Sequence, residues 1–304
     1  MATTPVHTLV DGFSFGEGPR WHDGELWFSD MHGHRVVRVT AEGSWDGSGG
    51  HSTDVRVETV VEITDDEPSG LGWLADGRLL VVAMGTQQLR RVEPDGTVVV
   101  HADLSAVARG DLNDMIVRAD GTAYVGDMGA RIQEGGEMVP GQTFLVTPDG
   151  AVSCAADDML APNGHALTED GRTLVVGESA GMRLTAFDVA ADGTLANRRV
   201  FAALVPERDD VPVAPPDGIC LDAAGAAWVA DPIGARVFRV LEGGEVTDSV
   251  AFVGETPVAC VLGGDDRRTL MICVAAGWKR EEVAGTRTGR IDVCRVDVPG
   301  AGRP

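Results

Sequence analysis

One short pattern occurs six times along this chain. A polar turn, usually Asp-Gly, leads into a short apolar strand that often ends on an acidic residue. The copies are Asp23–Asp30, Asp76–Val82, Asp120–Asp127, Asp170–Glu178, Ala224–Asp231 and Asp265–Ile272. Each copy is followed by an alternating strand: His34–Val39, Gln88–Val92, Gln142–Val146, Arg183–Val189, Arg236–Val240 and Gly289–Val296. Turns such as Pro94-Asp95-Gly96 and Pro148-Asp149-Gly150 come next, and Thr97–Val100 reads as a further strand. The repeat glycines Gly24, Gly77, Gly121, Gly171 and Gly225 are 53, 44, 50 and 54 residues apart, room for four short strands and their turns. Such a unit has apolar surface on both faces of its sheet, so it must stack on neighbours, and closing the ring removes the exposed ends. The expected fold is therefore all-β, a six-bladed β-propeller. It is expected to form one domain over residues 1–304, with the segment around Val6–Val10 helping to close the last blade. A β-sandwich would share the short strands but not the sixfold period. Helical signal is confined to one turn at Asp103–Ala108.

Composition narrows the partners. With 43% hydrophobic residues but only 5% aromatics, Val, Leu and Ala must fill the core, and 40 glycines fit many tight turns. A net charge of −22 repels phosphate backbones and anionic headgroups, so neither nucleic acid nor membrane is an expected partner. The five cysteines are widely spaced without a C-x-x-C pair, and Cys220, Cys260 and Cys273 lie in apolar runs, a pattern of buried free thiols. Met1–Val6 lacks a basic stretch and an apolar core, and no apolar run reaches membrane-spanning length. The expected location is cytoplasmic; the oligomeric state is open.

The same repeat register links four scattered residues. Glu17, Asn113, Asn163 and Asp217 precede Gly24, Gly121, Gly171 and Gly225 by 7, 8, 8 and 8 residues, and each stands beside a glycine, a proline or a second polar residue. Positions equivalent around a ring converge near its axis. Two carboxylates and two carboxamides form an all-oxygen set suited to Ca2+, Mg2+ or Mn2+. At blade two the same offset falls on Ser69, small enough to leave room for a substrate.

The motifs Gly16-Glu17-Gly18-Pro19-Arg20-Trp21, Asn113-Asp114, Pro162-Asn163-Gly164 and Pro216-Asp217-Gly218, in this order and spacing, resemble those of the SMP-30/gluconolactonase/LRE family over nearly the full length. The resemblance implies a metal-dependent lactonase with a small-molecule lactone as substrate. It implies one divalent cation, Ca2+ by preference with Mg2+, Mn2+ or Zn2+ as alternatives, held by Glu17, Asn163 and Asp217, with Asn113 joining the metal or holding the substrate. Asp217 would be the general base. Where several sugar-lactone members carry an arginine two positions before the asparagine, this chain has Asp111. Asp111, Asn113, Asp114 and His165 are the candidate substrate contacts. Other readings of the scaffold remain: a phosphotriesterase-like hydrolase, a biosynthetic catalyst like the strictosidine-synthase propellers, or a calcium- or ligand-binding propeller without turnover.

Each of these side chains also has an ordinary role. Asp114 can cap its own turn, and His165 can be a packing histidine. His32 and His34 have metal-compatible spacing without a third ligand nearby, and read as a polar loop. Trp21 and Trp73 read as core or channel wall, and Trp278 as part of a mouth. Asp30, Asp127, Glu178 and Asp231, at strand ends, are expected to satisfy loop amides. Residues 131–140 lengthen one loop and can cover the mouth.

Overall fold

The computed structural model describes residues 5–43, 45, 54–132, 135–204 and 214–301. Residues 1–4 of the N-terminal segment and 133–134 of the extended loop therefore lie outside the described residues. The described residues form six four-stranded antiparallel sheets, the expected six-bladed propeller. Blade one runs outward from the axis as Gly16–His22, Glu25–Asp30, Arg35–Glu42 and Asp54–Glu62. Blades two to five repeat that order along the chain. Their innermost strands are Pro68–Trp73, Leu112–Val117, Pro162–Leu167 and Ile219–Leu221, and that of blade six is Thr256–Gly263. Each innermost strand packs on the next, and the sixth returns to the first.

Blade six is built from both ends of the chain. After Thr256–Gly263, Thr269–Ala275 and Gly289–Arg295, its outermost strand is the N-terminal His7–Phe13, so the anticipated closure is present. His7 faces Val293 and Phe13 faces Gly289. Phe13 is 2% exposed and meets the edge of Phe28 at 4.8 Å between centroids, which ties blade six to blade one. Phe13→Ala is expected to cost about 3–5 kcal/mol, measured as a lower midpoint in urea with an unchanged slope. A loss below about 1 kcal/mol would mean that the closure does not depend on this contact.

The turn glycines that set the period all have positive φ, from 67° at Gly171 to 87° at Gly121. The acidic strand ends do what their positions suggest. Asp30 accepts the amides of Ser14 and Phe15, Asp127 those of Arg109, Gly110 and Gly129, Glu178 that of Leu160, and Asp231 that of Gly234. In blades one, four and five the facing residue of the next strand is an arginine that also pairs with the carboxylate: Arg35, Arg183 and Arg236.

Between blades the core is aliphatic with isolated aromatics; Tyr124 and Phe187, for example, pack with Ile116, Leu174 and Val176 between blades three and four. All five cysteines are free; Cys220, Cys260, Cys273 and Cys294 are buried and Cys154 is exposed. The Asp103–Ala108 segment forms a turn closed by the Ala108 amide on the Leu104 carbonyl. A short helix at Arg280–Val283 has no counterpart in the sequence expectations. No helix among the described residues is long and apolar enough to cross a membrane.

Candidate metal-binding active site

Glu17, Asn113 and Asn163 lie in the innermost strands of blades one, three and four, and Asp217 immediately precedes that of blade five. All four line one cavity of about 320 Å3. Glu17, Asn113 and Asn163 are 6%, 7% and 7% exposed, while Asp217 keeps partial access to the cavity. Glycine explains how they converge. The Gly164 amide donates to the Asp217 carbonyl, and a Cβ at Gly164 would lie 2.5 Å from that same oxygen. At Gly70 a Cβ would lie 2.4 Å from the Met115 nitrogen. Neighbouring inner strands thus touch backbone to backbone beside the axis, which brings the preceding side chains together.

This register also assigns the two remaining blades. The Gly218 amide donates to the Val258 carbonyl as Gly164 does to Asp217, so blade six presents the fully buried Val258 and supplies no oxygen ligand from this position. Blade two presents Ser69, but not as open space for substrate. Ser69 is fully buried, and its hydroxyl donates to Asn113 Oδ1 at 2.8 Å, fixing the carboxamide from behind. The Ser69 side chain does not line the cavity, because this hydrogen bond turns it toward Asn113.

Glu17 and Asp217 are enclosed anions without a paired cation: neither forms an ion pair among the described residues. Glu17 Oε2 accepts the Gly18 amide at 3.0 Å. Burial pushes the Glu17 carboxyl well above its usual range, the Asp217 charge pushes it further, and the Gly18 amide draws it back. Burial raises Asp217 to about 7, the Asn163 side chain opposes the shift, and the Asp114 charge adds to it. Two such carboxylates beside two carboxamide side chains, of which Asn163 bonds Asp217, suit a hard divalent cation, which would neutralise both charges. No third carboxylate, histidine or cysteine joins them as a ligand group among the described residues.

The other expected substrate contacts sit behind this set and do not line the cavity. Asp114 is 5% exposed; its Oδ1 pairs with Arg20 Nη2 at 2.6 Å and its Oδ2 accepts the His165 amide at 2.9 Å. Arg20 also donates to the carbonyls of Pro19, Leu71 and Met115, so one guanidinium ties the inner strands of blades one, two and three together. The 1%-exposed His165 contacts the Asn163 carbonyl through Nδ1 and Thr143 Oγ1 through Nε2, and burial lowers its pKa, favouring the neutral ring. Asp111 is 3% exposed and accepts the Ile132 amide at 2.8 Å and Arg131 at 3.2 Å. It holds the start of the long loop, and Ile132 of that loop does line the cavity.

The sequence pattern does not flag the cavity walls. Met31, Met84, Met128, Ser179 and Pro232 line them, and each directly follows the second strand of its blade, from one to five. The signal was present in the repeat register, but nothing in residues of this kind suggests chemistry. His32 also faces the cavity, with Nδ1 2.9 Å from Glu67 Oε1, whereas His34 contacts the Asp66 carbonyl. Trp278 lines the mouth as expected; Trp21 is buried against Trp45, and Trp73 stacks on His22.

Ring and site together define a six-bladed propeller whose mouth gathers two uncompensated carboxylates and two carboxamides. Residues 15–276 match the SMP-30/Gluconolactonase/LRE-like region, and the chain belongs to that family. It is 27% identical over 295 residues to regucalcin of Xenopus laevis, covering 93% of this chain and 92% of the relative. To 6-deoxy-6-sulfogluconolactonase of Pseudomonas putida it is 29% identical over 166 residues, 54% of this chain and 56% of the relative. Among solved structures, a calcium-binding regucalcin of Agrobacterium tumefaciens superposes with a TM-score of 0.76 at 20% identity, covering 100% of this chain and 99% of the other.

Proposed function

We propose that this protein is a divalent-metal-dependent lactonase. The observation that carries the reading is the convergence of Glu17, Asn113, Asn163 and Asp217 on one cavity, with both carboxylates enclosed and unpaired. Relatives whose names include a lactonase support the reaction class. Glu17, Asn163 and Asp217 would hold the cation, Ca2+ by preference, and Asn113 would share it or hold the substrate. A divalent cation bound there supplies positive charge that polarises an ester carbonyl and acidifies a neighbouring water. Asp217 takes the proton of the attacking water. As water oxygen bonds to the acyl carbon, the ring C–O bond breaks and its oxygen is protonated, giving a hydroxy acid. Ser69 holds the Asn113 carboxamide, the His165 contact fixes the Asn163 backbone, and the Asn163 side chain bonds Asp217, so both carboxamides are preorganised. The apolar walls limit competing water.

The test is a panel of lactones incubated with protein stripped of metal and reloaded with Ca2+, Mg2+, Mn2+ or Zn2+. Activity lost on chelation and restored by one cation is expected; equal activity after rigorous chelation would remove the metal from the reading.

Cation uptake should also be coupled to protons. With Asp217 raised to about 7 in the folded protein, binding at neutral pH displaces a proton, and affinity is expected to fall about tenfold per pH unit below 7. Titration calorimetry in two buffers of different ionisation heat measures the proton release directly. The sign for stability follows from the same shift. A raised carboxyl favours the metal-free fold at low pH, and this contribution is lost as pH climbs from about 4 through 7. Thermal unfolding in chelator should follow that trend, and cation should reverse it at pH 7.

A further inference from the structure

The walls of the cavity identify the kind of lactone, an inference that rests on the hydrolase reading above. We propose that the substrate carries an apolar alkyl or aryl tail and is not a polyhydroxylated sugar lactone. The positions directly after the second strand of blades one to five form a second ring of lining residues: Met31, Met84, Met128, Ser179 and Pro232. Three are thioethers and one is a proline. The one hydroxyl, Ser179 Oγ, is spent on the Pro216 carbonyl at 2.6 Å.

Beyond the two carboxylates, the only titratable side chain lining the cavity among the described residues is His32. Its Nδ1 is engaged by Glu67, which leaves one ring nitrogen for a ligand. That nitrogen, Asn113 and the cation could meet the lactone group and little more, so most hydroxyls of a sugar lactone would lose water without gaining partners.

The rim continues the apolar character. Ile132, Ile233 and Trp278 are 41%, 45% and 51% exposed and all line the same cavity. Ile132 is held there by the bond from its amide to the buried Asp111 carboxylate. Exposed apolar side chains gathered around a concave site mark ligand contact. Thioethers adapt to different shapes, so the tail is selected by hydrophobicity more than by outline.

The experiment compares kcat/KM of the metal-loaded protein on γ- and δ-lactones with tails from methyl to hexyl, and on glucono-1,5-lactone. The expected gain is about fourfold per methylene until the cavity is filled. The longer-tailed lactones should exceed the sugar lactone by about 100-fold, the product of several such steps. Ile233→Asn and Trp278→Ser, at exposed positions where folding is not at stake, should flatten the dependence on tail length. A flat dependence in the wild type, or preference for the sugar lactone, would overturn the inference.

If no lactone is hydrolysed, the hydrolase reading fails, and the cavity is then judged by binding. Alkyl-substituted lactams, which resist turnover, are titrated by tryptophan fluorescence with Trp278→Ser as control. Affinity rising with tail length upholds the apolar site; binding that ignores the tail rejects it.

Discussion

Asp217→Asn is expected to lower kcat/KM on the best lactone by about 10³-fold, the middle of the range for loss of a general base. The substitution keeps the shape and one oxygen, so the inner strands should stay closed and the thermal midpoint in chelator should not fall. It should in fact rise near pH 7, because one of two enclosed anions is gone. Cation affinity should weaken at the same time, which mixes two effects on rate. Assays at saturating cation separate them: a rate defect that persists there belongs to proton transfer. Full activity of Asp217→Asn at saturating cation would assign the base elsewhere.

The second large effect is structural. Arg20→Met should destabilise the fold by about 3–5 kcal/mol, as expected when one partner of a buried ion pair is removed, and lower the thermal midpoint by roughly 10 °C. The Arg20 and Asp114 side chains are 4% and 7% exposed, so Asp114 would remain as an enclosed, unpaired charge. Its field already raises Glu17 and Asp217, and losing Arg20 also removes an influence that lowers Glu17. A more negative site holds a dication more tightly as well as its protons, so above the pKa of its carboxyls cation affinity should rise in Arg20→Met although Arg20 lines no part of the cavity. The double variant Arg20→Met/Asp114→Asn should regain part of the lost stability and return cation affinity toward that of the wild type. If it is no more stable than Arg20→Met, the defect is lost packing and not an orphaned charge.

The repeat made the ring legible because each blade needs the same tight turn before its second strand, and glycine with positive φ marks it. It also made Glu17, Asn113, Asn163 and Asp217 legible as equivalent positions, since oxygen-bearing side chains beside close-contact glycines are unusual in a strand. Asp114 and His165 have the right chemistry and the right neighbourhood, but the pleat turns Asp114 to the face opposite Asn113, and a register shift between Pro162 and His165 breaks the alternation that would put His165 on the face of Asn163. Asp114 is spent on Arg20 and the His165 amide, and His165 on the Asn163 carbonyl. Asp111 shows a different limit: its partners, Arg131 and the Ile132 amide, come from a loop whose path no periodicity encodes. The methionines of the wall share a register as clear as that of the ligands, yet a thioether after a strand has no chemical signature. Ser69 misleads by size alone, because a small side chain can be a brace as readily as a gap.

The composition of blade six has a consequence for how the protein is made. Gly289–Arg295, the partner of His7–Phe13, leaves the ribosome about 280 residues after it. At cellular elongation rates that interval is on the order of tens of seconds. For that time this edge strand has no native neighbour, and its unpaired backbone is a ready target for chaperones or for mispairing. The cavity borrows Trp278 from blade six, so its mouth is completed only after the five preceding blades have been made. The oxygens of Glu17, Asn113, Asn163 and Asp217 all precede that blade, so the site's polar floor is on hand before its apolar mouth.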